Sequence, residues 1–306
     1  MLRDRILFTL KFFDLQQTPL TLIQLRDFLF NEPDALKQSV NENFEIQKDV
    51  NIPTEVNTDE ILEILNSDLK SEVAMMNGYY CLVGRTEIIE QRLENDIYRI
   101  HREKIISRFL PGLRFIPFVR GVGVGGSQTL GSSKSTSDID LLIILDPRFL
   151  FLGRMLVTGY FQLTGHRRHG QKIQNRFCLN HYLGGPIVVS DERDPYNAME
   201  YLRLRGEIYS QPIAEFIQKN LFWMKKFFPN AKVEPWPEHK RSGLQSFLEK
   251  IFTNPLGVWL DQKLGNWQLK RIKRGEHAVA SEIELSFHSK QRKFDFLGKI
   301  FDKPRT

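Results

Sequence analysis

The sequence predicts an α/β (α+β) chain. A small mixed sheet is flanked by helices, with an amino-terminal module of helices and a hairpin before it and a helical region after it. Three observations predict this. Strand-like and helix-like apolar spacings alternate through the middle of the chain. Residues 73–83 read as two short strands around Asn77-Gly78, a strong hairpin signal. From Tyr196 onward the apolar spacing is helical.

Each element follows from local pattern. Residues 4–16 carry Ile6, Leu7, Leu10, Phe13 and Leu15 near helical spacing. Thr18-Pro19-Leu20-Thr21 breaks that helix, and residues 22–30 restart one. Residues 31–56, polar and punctuated by Pro33 and Pro53, predict a long loop. Thr58-Asp59-Glu60 caps a third helix running to about residue 71. A long charged helix is expected over 86–109. Strands are expected over 115–124, 141–145 and 176–183, with an apolar crossover helix over 149–163. Residues 186–190 read as a fourth strand or the return of the same hairpin. Helices are expected over 198–202 and 213–228, and one or two more over 243–301. The pattern divides the chain into 1–85, 86–210 and 211–306.

Composition bounds the function. At 306 residues, 41% hydrophobic and with 23 Phe, the chain has material for real cores and is not a disordered segment. Only Cys81 and Cys178 occur, which implies no disulfide framework and points to the reducing cytoplasm. Met1-Leu2-Arg3-Asp4-Arg5 opens an amphipathic pattern rather than a secretory signal. The most apolar region, 141–163, is interrupted by Asp146, Pro147, Arg148 and Arg154, which argues against a membrane span. The net charge of +6 is compatible with a polyanionic partner and equally with an ordinary basic surface.

The chemistry concentrates in Gly125-Gly126-Ser127-Gln128-Thr129-Leu130-Gly131, followed by Ser137-Asp138-Ile139-Asp140-Leu141 at the mouth of an apolar strand. Side chains alternate along a strand, so Asp138 and Asp140 share one face, roughly 7 Å apart. Two carboxylates on one edge call for a positive charge between them, and a divalent metal carrying phosphates supplies it. The small-residue turn lets backbone N–H groups approach a phosphate. Two other motifs overlap here. Residues 121–126 satisfy Gly-x-Gly-x-x-Gly, but the acids open the next strand instead of closing it. Residues 126–134 approach a P-loop, with Lys134 out of register.

Gly126-Ser127, a ten-residue spacer and Asp138-Ile139-Asp140-Leu141 together resemble the signature of the DNA polymerase β-like nucleotidyltransferase superfamily. Gly131 and Ser137 extend the match, whereas Thr129-Leu130 stand where minimal members often carry Ala-Arg. The resemblance implies a small mixed nucleotidyltransferase sheet and transfer of a nucleoside monophosphate from a nucleoside triphosphate, such as ATP, to a hydroxyl of a small molecule, RNA or protein. It implies Asp138 and Asp140 as catalytic ligands of Mg²⁺ or Mn²⁺, and Gly126, Ser127 and Ser137 as nucleotide contacts. It also implies a third carboxylate on a later strand. The aligned residue is Asn180, which is no base and a weaker ligand, with Asp191 or Asp194 as possible substitutes. A catalytically weakened protein that binds nucleotide or a partner protein in a regulatory role is the alternative.

The remaining candidates read more simply. His166-Arg167-Arg168-His169 with Lys172 reads as a solvated loop, with a triphosphate or polyanionic acceptor as its functional alternative. His181 is expected on the face opposite Asn180. His101 and His288 lack metal partners at ligand spacing, and the basic run 270–274 reads as an exposed helix face. Three helices and a hairpin resemble a winged helix-turn-helix. Its third helix is acidic, with Asp59, Glu60, Glu63, Asp68 and Glu72 against Lys70, which argues against duplex DNA as a partner. Residues 1–85 are therefore expected to give no sub-micromolar shift of duplex DNA in a low-salt gel; salt-sensitive binding there would contradict this reading.

Overall fold

The computed structural model describes residues 1–48, 50–189, 193–233, 236, 238–272, 279–281, 283–286 and 290–301. In chain order it holds α1 (Leu2–Asp14), β1 (Leu20–Thr21), α2 (Leu22–Asp27), α3 (Pro33–Ser39), α4 (Thr58–Asn66), β2 (Val73–Met76) and β3 (Tyr79–Leu82). There follow α5 (Glu87–Phe109), β4 (Val119–Gly125), α6 (Ser127–Leu130), β5 (Ile139–Leu145), α7 (Leu150–Leu163) and β6 (Phe177–Gly184). The last elements are α8 (Pro195–Leu202), β7 (Arg205–Ile208), α9 (Ser210–Phe227), α10 (Gly243–Phe252), α11 (Pro255–Ile272), β8 (Val279–Ala280), β9 (Glu284–Ser286) and α12 (Lys290–Phe301).

The expected α+β architecture is present. A six-stranded mixed sheet runs β7-β4-β5-β6-β9-β8, with β5 and β6 parallel and the other neighbours antiparallel. A small second sheet, β1-β3-β2, holds the hairpin. Asn77 and Gly78 turn it with positive φ of 52° and 79°, the geometry that Asn-Gly favours.

Four expectations change. Residues 31–56 are not all loop, because Pro33 opens α3 from its first helical position, where a missing N–H costs nothing. The helix expected to residue 71 ends at Asn66. Residues 187–189 form no strand; the sheet is widened instead by β7 and by β9, which the helical reading of the carboxyl-terminal third overlooked. Among its described residues that region holds three helices rather than one or two. Among the described residues no helix is long and apolar enough to cross a membrane.

The sheet is covered on both faces, which is why β5 is almost continuously apolar. Ile139, Leu141, Ile143 and Leu145 pack on one face with residues of α5 and α7. Leu142 and Ile144 pack on the other with α8 and α9. The glycines of β4 serve this second face. Cβ atoms on Gly121 and Gly123 would meet Pro212 and Ile213 at 3.3 and 3.5 Å, while Val122 and Val124 fill the opposite side. The Gly-x-Gly repeat is thus a groove that seats α9, in a strand paired antiparallel on both edges, and not a dinucleotide turn.

The amino-terminal helices share the core of α8, α9 and α12. Phe30 is fully buried, with ring centroids 5.0, 4.9 and 4.6 Å from Phe8, Phe12 and Phe228. Asn230 ties the same regions through its side chain, donating to the carbonyls of Arg26 and Val56 and accepting from the Val56 N–H. Phe30→Ala should cost about 3–5 kcal/mol by urea unfolding, the usual penalty for emptying a buried Phe site; a loss below about 1 kcal/mol would show that the cluster does not join these segments.

Candidate metal and nucleotide site

The carboxylate end of β5 is built by three neighbours. β4 runs into Gly126, which turns the chain with φ +63° into α6. A Cβ at Gly126 would lie 2.1 Å from Asp140 Oδ2, so only glycine allows the turn to close on that carboxylate. Behind the turn, Gln128 is buried and donates to Glu103 Oε1 (2.7 Å) and the Arg99 carbonyl (3.0 Å), anchoring α6 to α5.

The loop from α6 to β5 is held from below by Arg102. This fully buried guanidinium donates to the carbonyls of Lys134, Ser135 and Ser137. Ser137 closes the same loop, its hydroxyl accepting the Lys134 N–H at 2.9 Å. Its role in the structure is thus to shape the loop that presents Asp138. Ser127 opens α6, and its carbonyl accepts the N–H groups of Gly131 and Ser132.

Asp138, Asp140 and Cys178 bring one donor atom each to within 4.8 Å of one another. Cys178 enters because β6 pairs with β5 in the register Asp140↔Cys178. The position expected for Asn180 is therefore taken by a thiol. Asn180 falls in a bulge between the Asp140–Cys178 and Leu142–His181 pairs, and its side chain lies outside the described groups. Beyond the bulge His181 pairs with Leu142 and places Nε2 3.4 Å from Glu284 Oε1. Asp191 lies outside the described residues. Asp194 caps α8 and forms an ion pair with Lys293 at 2.9 Å.

One cation, from the basic loop whose functional alternative was a triphosphate, and one acid that the sequence did not single out join the site. Arg168, from the basic loop, donates to Asp138 Oδ2 at 2.6 Å and to Cys178 Sγ at 3.2 Å. The loop reaches there because the His166 carbonyl and the Arg168 N–H bond to Phe177 at the start of β6. Glu200, on α8, lies beside the Gly126 backbone and close enough to feel the charge of Asp140. Its only signal in the sequence was an acid inside an otherwise apolar helical segment. His101 is exposed on α5, while His288, Lys273 and Arg274 lie outside the described residues.

Electrostatics mark the site as short of positive charge. Burial and the neighbouring Asp138 push Asp140 up to about 6, against the pull of Arg168. Burial and Asp140 push Glu200 up to about 7. Burial, Asp140 and Asp138 raise the Cys178 thiol, which stays protonated. Two carboxylates beside a tight turn suit a hard divalent cation, which commonly takes one or two protein carboxylates and completes its shell with phosphate oxygens and water. A protonated thiol is not a ligand for such an ion, so Asp138 and Asp140 would hold it, with Arg168 displaced toward incoming phosphates.

The raised carboxyls carry a pH signature. Asp140 moves from 3.8 to about 6 and Glu200 from 4.5 to about 7, so the folded chain keeps protons that the unfolded chain has lost. Stability in EDTA should fall as pH rises from about 4.5 to about 7. This window lies above that of Glu103, Asp146 and Glu249, whose salt-bridged carboxyls are held low. Mg²⁺ or Mn²⁺ should recover stability mainly at the upper end. Scanning calorimetry from pH 4.5 to 7.5 checks this, and a melting profile that rises through the window would refute it.

Comparison of the chain with protein-family models, with curated proteins and with solved structures finds no match. The functional reading accordingly stands on the geometry of the β4–α6 turn, β5, β6 and α8.

Proposed function

We propose that this chain is a metal-dependent nucleotidyltransferase, moving a nucleoside monophosphate from a nucleoside triphosphate to a hydroxyl acceptor. The observation that carries the reading is the Asp138–Asp140 pair at the mouth of β5, closed over by Gly126 so tightly that no side chain fits between. A bound Mg²⁺ or Mn²⁺ would supply charge neutralisation at the α-phosphate and on the departing pyrophosphate.

The protein's own groups then have distinct tasks. Asp138 and Asp140 would hold the ion, which would orient the triphosphate when bound. Arg168, already on Asp138, offers a guanidinium to a phosphate oxygen. The acceptor oxygen attacks the α-phosphorus, the bond to the bridging oxygen breaks, and pyrophosphate leaves. Glu200 accepts the acceptor's proton. A carboxylate near neutrality is well matched to that role. It replaces the strand carboxylate that β6 lacks at Cys178.

A second reading is favoured by Cys178 itself. With a thiol across from Asp140 and Arg168 already bonded to Asp138, the chain binds the nucleotide but transfers it slowly or not at all, serving a regulatory role.

Pyrophosphate release separates the two. With Mg²⁺ or Mn²⁺, each of the four triphosphates and cell extract as acceptor source, the wild type should release pyrophosphate. Asp138→Asn and Asp140→Asn should each abolish release, and Glu200→Gln should lower it by about 10²–10⁴-fold, the usual worth of a general base. Metal-dependent triphosphate binding without release would favour the second reading. Binding unchanged in both Asp variants would sink the metal site.

A further inference from the structure

A cavity of about 700 Å³ lies on the far side of α6, lined by Thr129 and Gly131 but by neither Asp138 nor Asp140. Its size suits a nucleotide-sized ligand. Its described lining carries six cations, and four are already matched. Arg26 pairs with Asp27 at 2.5 Å, Arg99 with Asp96 at 2.9 Å, Arg205 with Glu103 at 2.8 Å, and Lys232 with Glu55 at 2.9 Å.

Arg92 and Arg203 are the exceptions: neither forms an ion pair with a described carboxylate. Arg203 is only 9% exposed, and its Nη1 has no hydrogen-bond partner. Its Nη2 donates to the Thr129 carbonyl at 2.9 Å. Arg92 donates to the carbonyls of Pro19 (2.8 Å) and Leu130 (3.2 Å) and lies 4.6 Å from the Tyr79 ring centroid. Both guanidiniums therefore close the carboxyl end of α6, yet that task needs one N–H from each. Burial, and then the adjacent positive charge of Arg92, hold Arg203 down to about 9. Asp96 acts on Arg92 and Glu200 on Arg203 without pairing with either, so two like charges at one cavity wall, one with a buried N–H left over, stay only partly offset.

We propose that this cavity binds the phosphate group of a small anion, held by Arg92 and Arg203 and without contact to Asp138 or Asp140. A phosphate in the cavity accepts from the Arg92 and Arg203 guanidiniums, the Arg203 fork turning to bring its buried Nη1 to the ligand, and its negative charge relieves the repulsion between the two. Arginine suits this task because its planar fork presents several donors to one phosphate. The source is either a free phosphate anion or a nucleotide, and the two differ in what else fills the cavity.

The test uses the full chain, titrated calorimetrically in EDTA with inorganic phosphate, pyrophosphate and AMP. EDTA removes any contribution from a metal at Asp138 and Asp140, so failure here leaves the reading of that centre standing, and the reverse holds too. At least one probe should bind saturably. Arg92→Gln, which keeps a donor for the Leu130 carbonyl, and Arg203→Met should each weaken binding by about tenfold or more, the loss of one charge-assisted contact. Tighter binding of AMP assigns the site to a nucleotide, and equal binding of the three to the bare anion. No saturable binding of any probe up to about 1 mM, a free energy near 4 kcal/mol, overturns the proposal. So does unchanged affinity in Arg92→Gln at wild-type melting temperature, whether or not Arg203→Met folds.

Discussion

The site depends on holding Asp138 and Asp140 together in a place where neither is well solvated. Like charges at this separation oppose each other, and burial adds to the cost. The surrounding structure answers both effects. Arg102 fixes the loop that carries Asp138 by taking its carbonyls, so the backbone cannot relax the two acids apart. Gly126 seals the other side, where any Cβ would collide with Asp140. Arg168 supplies the one cation in direct contact with the pair among the described residues. The residual strain appears as the raised Asp140 and Glu200 carboxyls, the state a divalent ion would relieve.

That arrangement explains why the helices behind the sheet matter to the chemistry. Gln128 locks α6 to α5 through Glu103, and Glu103 is also gripped by Arg205 on β7. The glycine groove of β4 brings α9 close to the sheet. α8, packed against α9, brings Glu200 beside the Gly126 turn and Asp140. A short turn is thereby positioned by elements from most of the chain's length, and the amino-terminal helices contribute by completing the core under α8 and α9.

The turn, the β5 carboxylates, the order β4, β5, α7, β6, and the Asn-Gly hairpin were legible in the sequence, because each depends on local pattern; the single helical turn of α6 after the glycines was not. What was not legible depends on register or on distant packing. Counting from the apolar strand pointed to Asn180, but a bulge of one residue hands the position beside Asp140 to Cys178. Glu200 reads as an ordinary helix acid until α8 is seen against Gly126. Arg168 reads as one charge in a solvated loop until His166–Arg168 are seen bonded to Phe177. β7 is four residues of Arg-Gly-Glu-Ile, too short and too polar to announce a strand, and β9 shorter still.

On the proposed reading, a thiol stands on β6 where the resemblance implies a strand carboxylate and a helix supplies the acid, which would divide the two tasks of such a residue. A strand acid across from Asp140 serves both as metal ligand and as base, so its charge is tied to the ion. Here Glu200 stands outside the Asp138–Asp140–Cys178 donor group. Its proton affinity is set by burial and by Asp140, and neutralising Asp140 with a cation would lower it. On the proposed reading, the acid that takes the proton would be coupled to metal occupancy through one neighbouring charge, without sharing the metal. Cys178, protonated and uncharged, fills the vacated space at no electrostatic cost to the pair, which a third carboxylate there would crowd further.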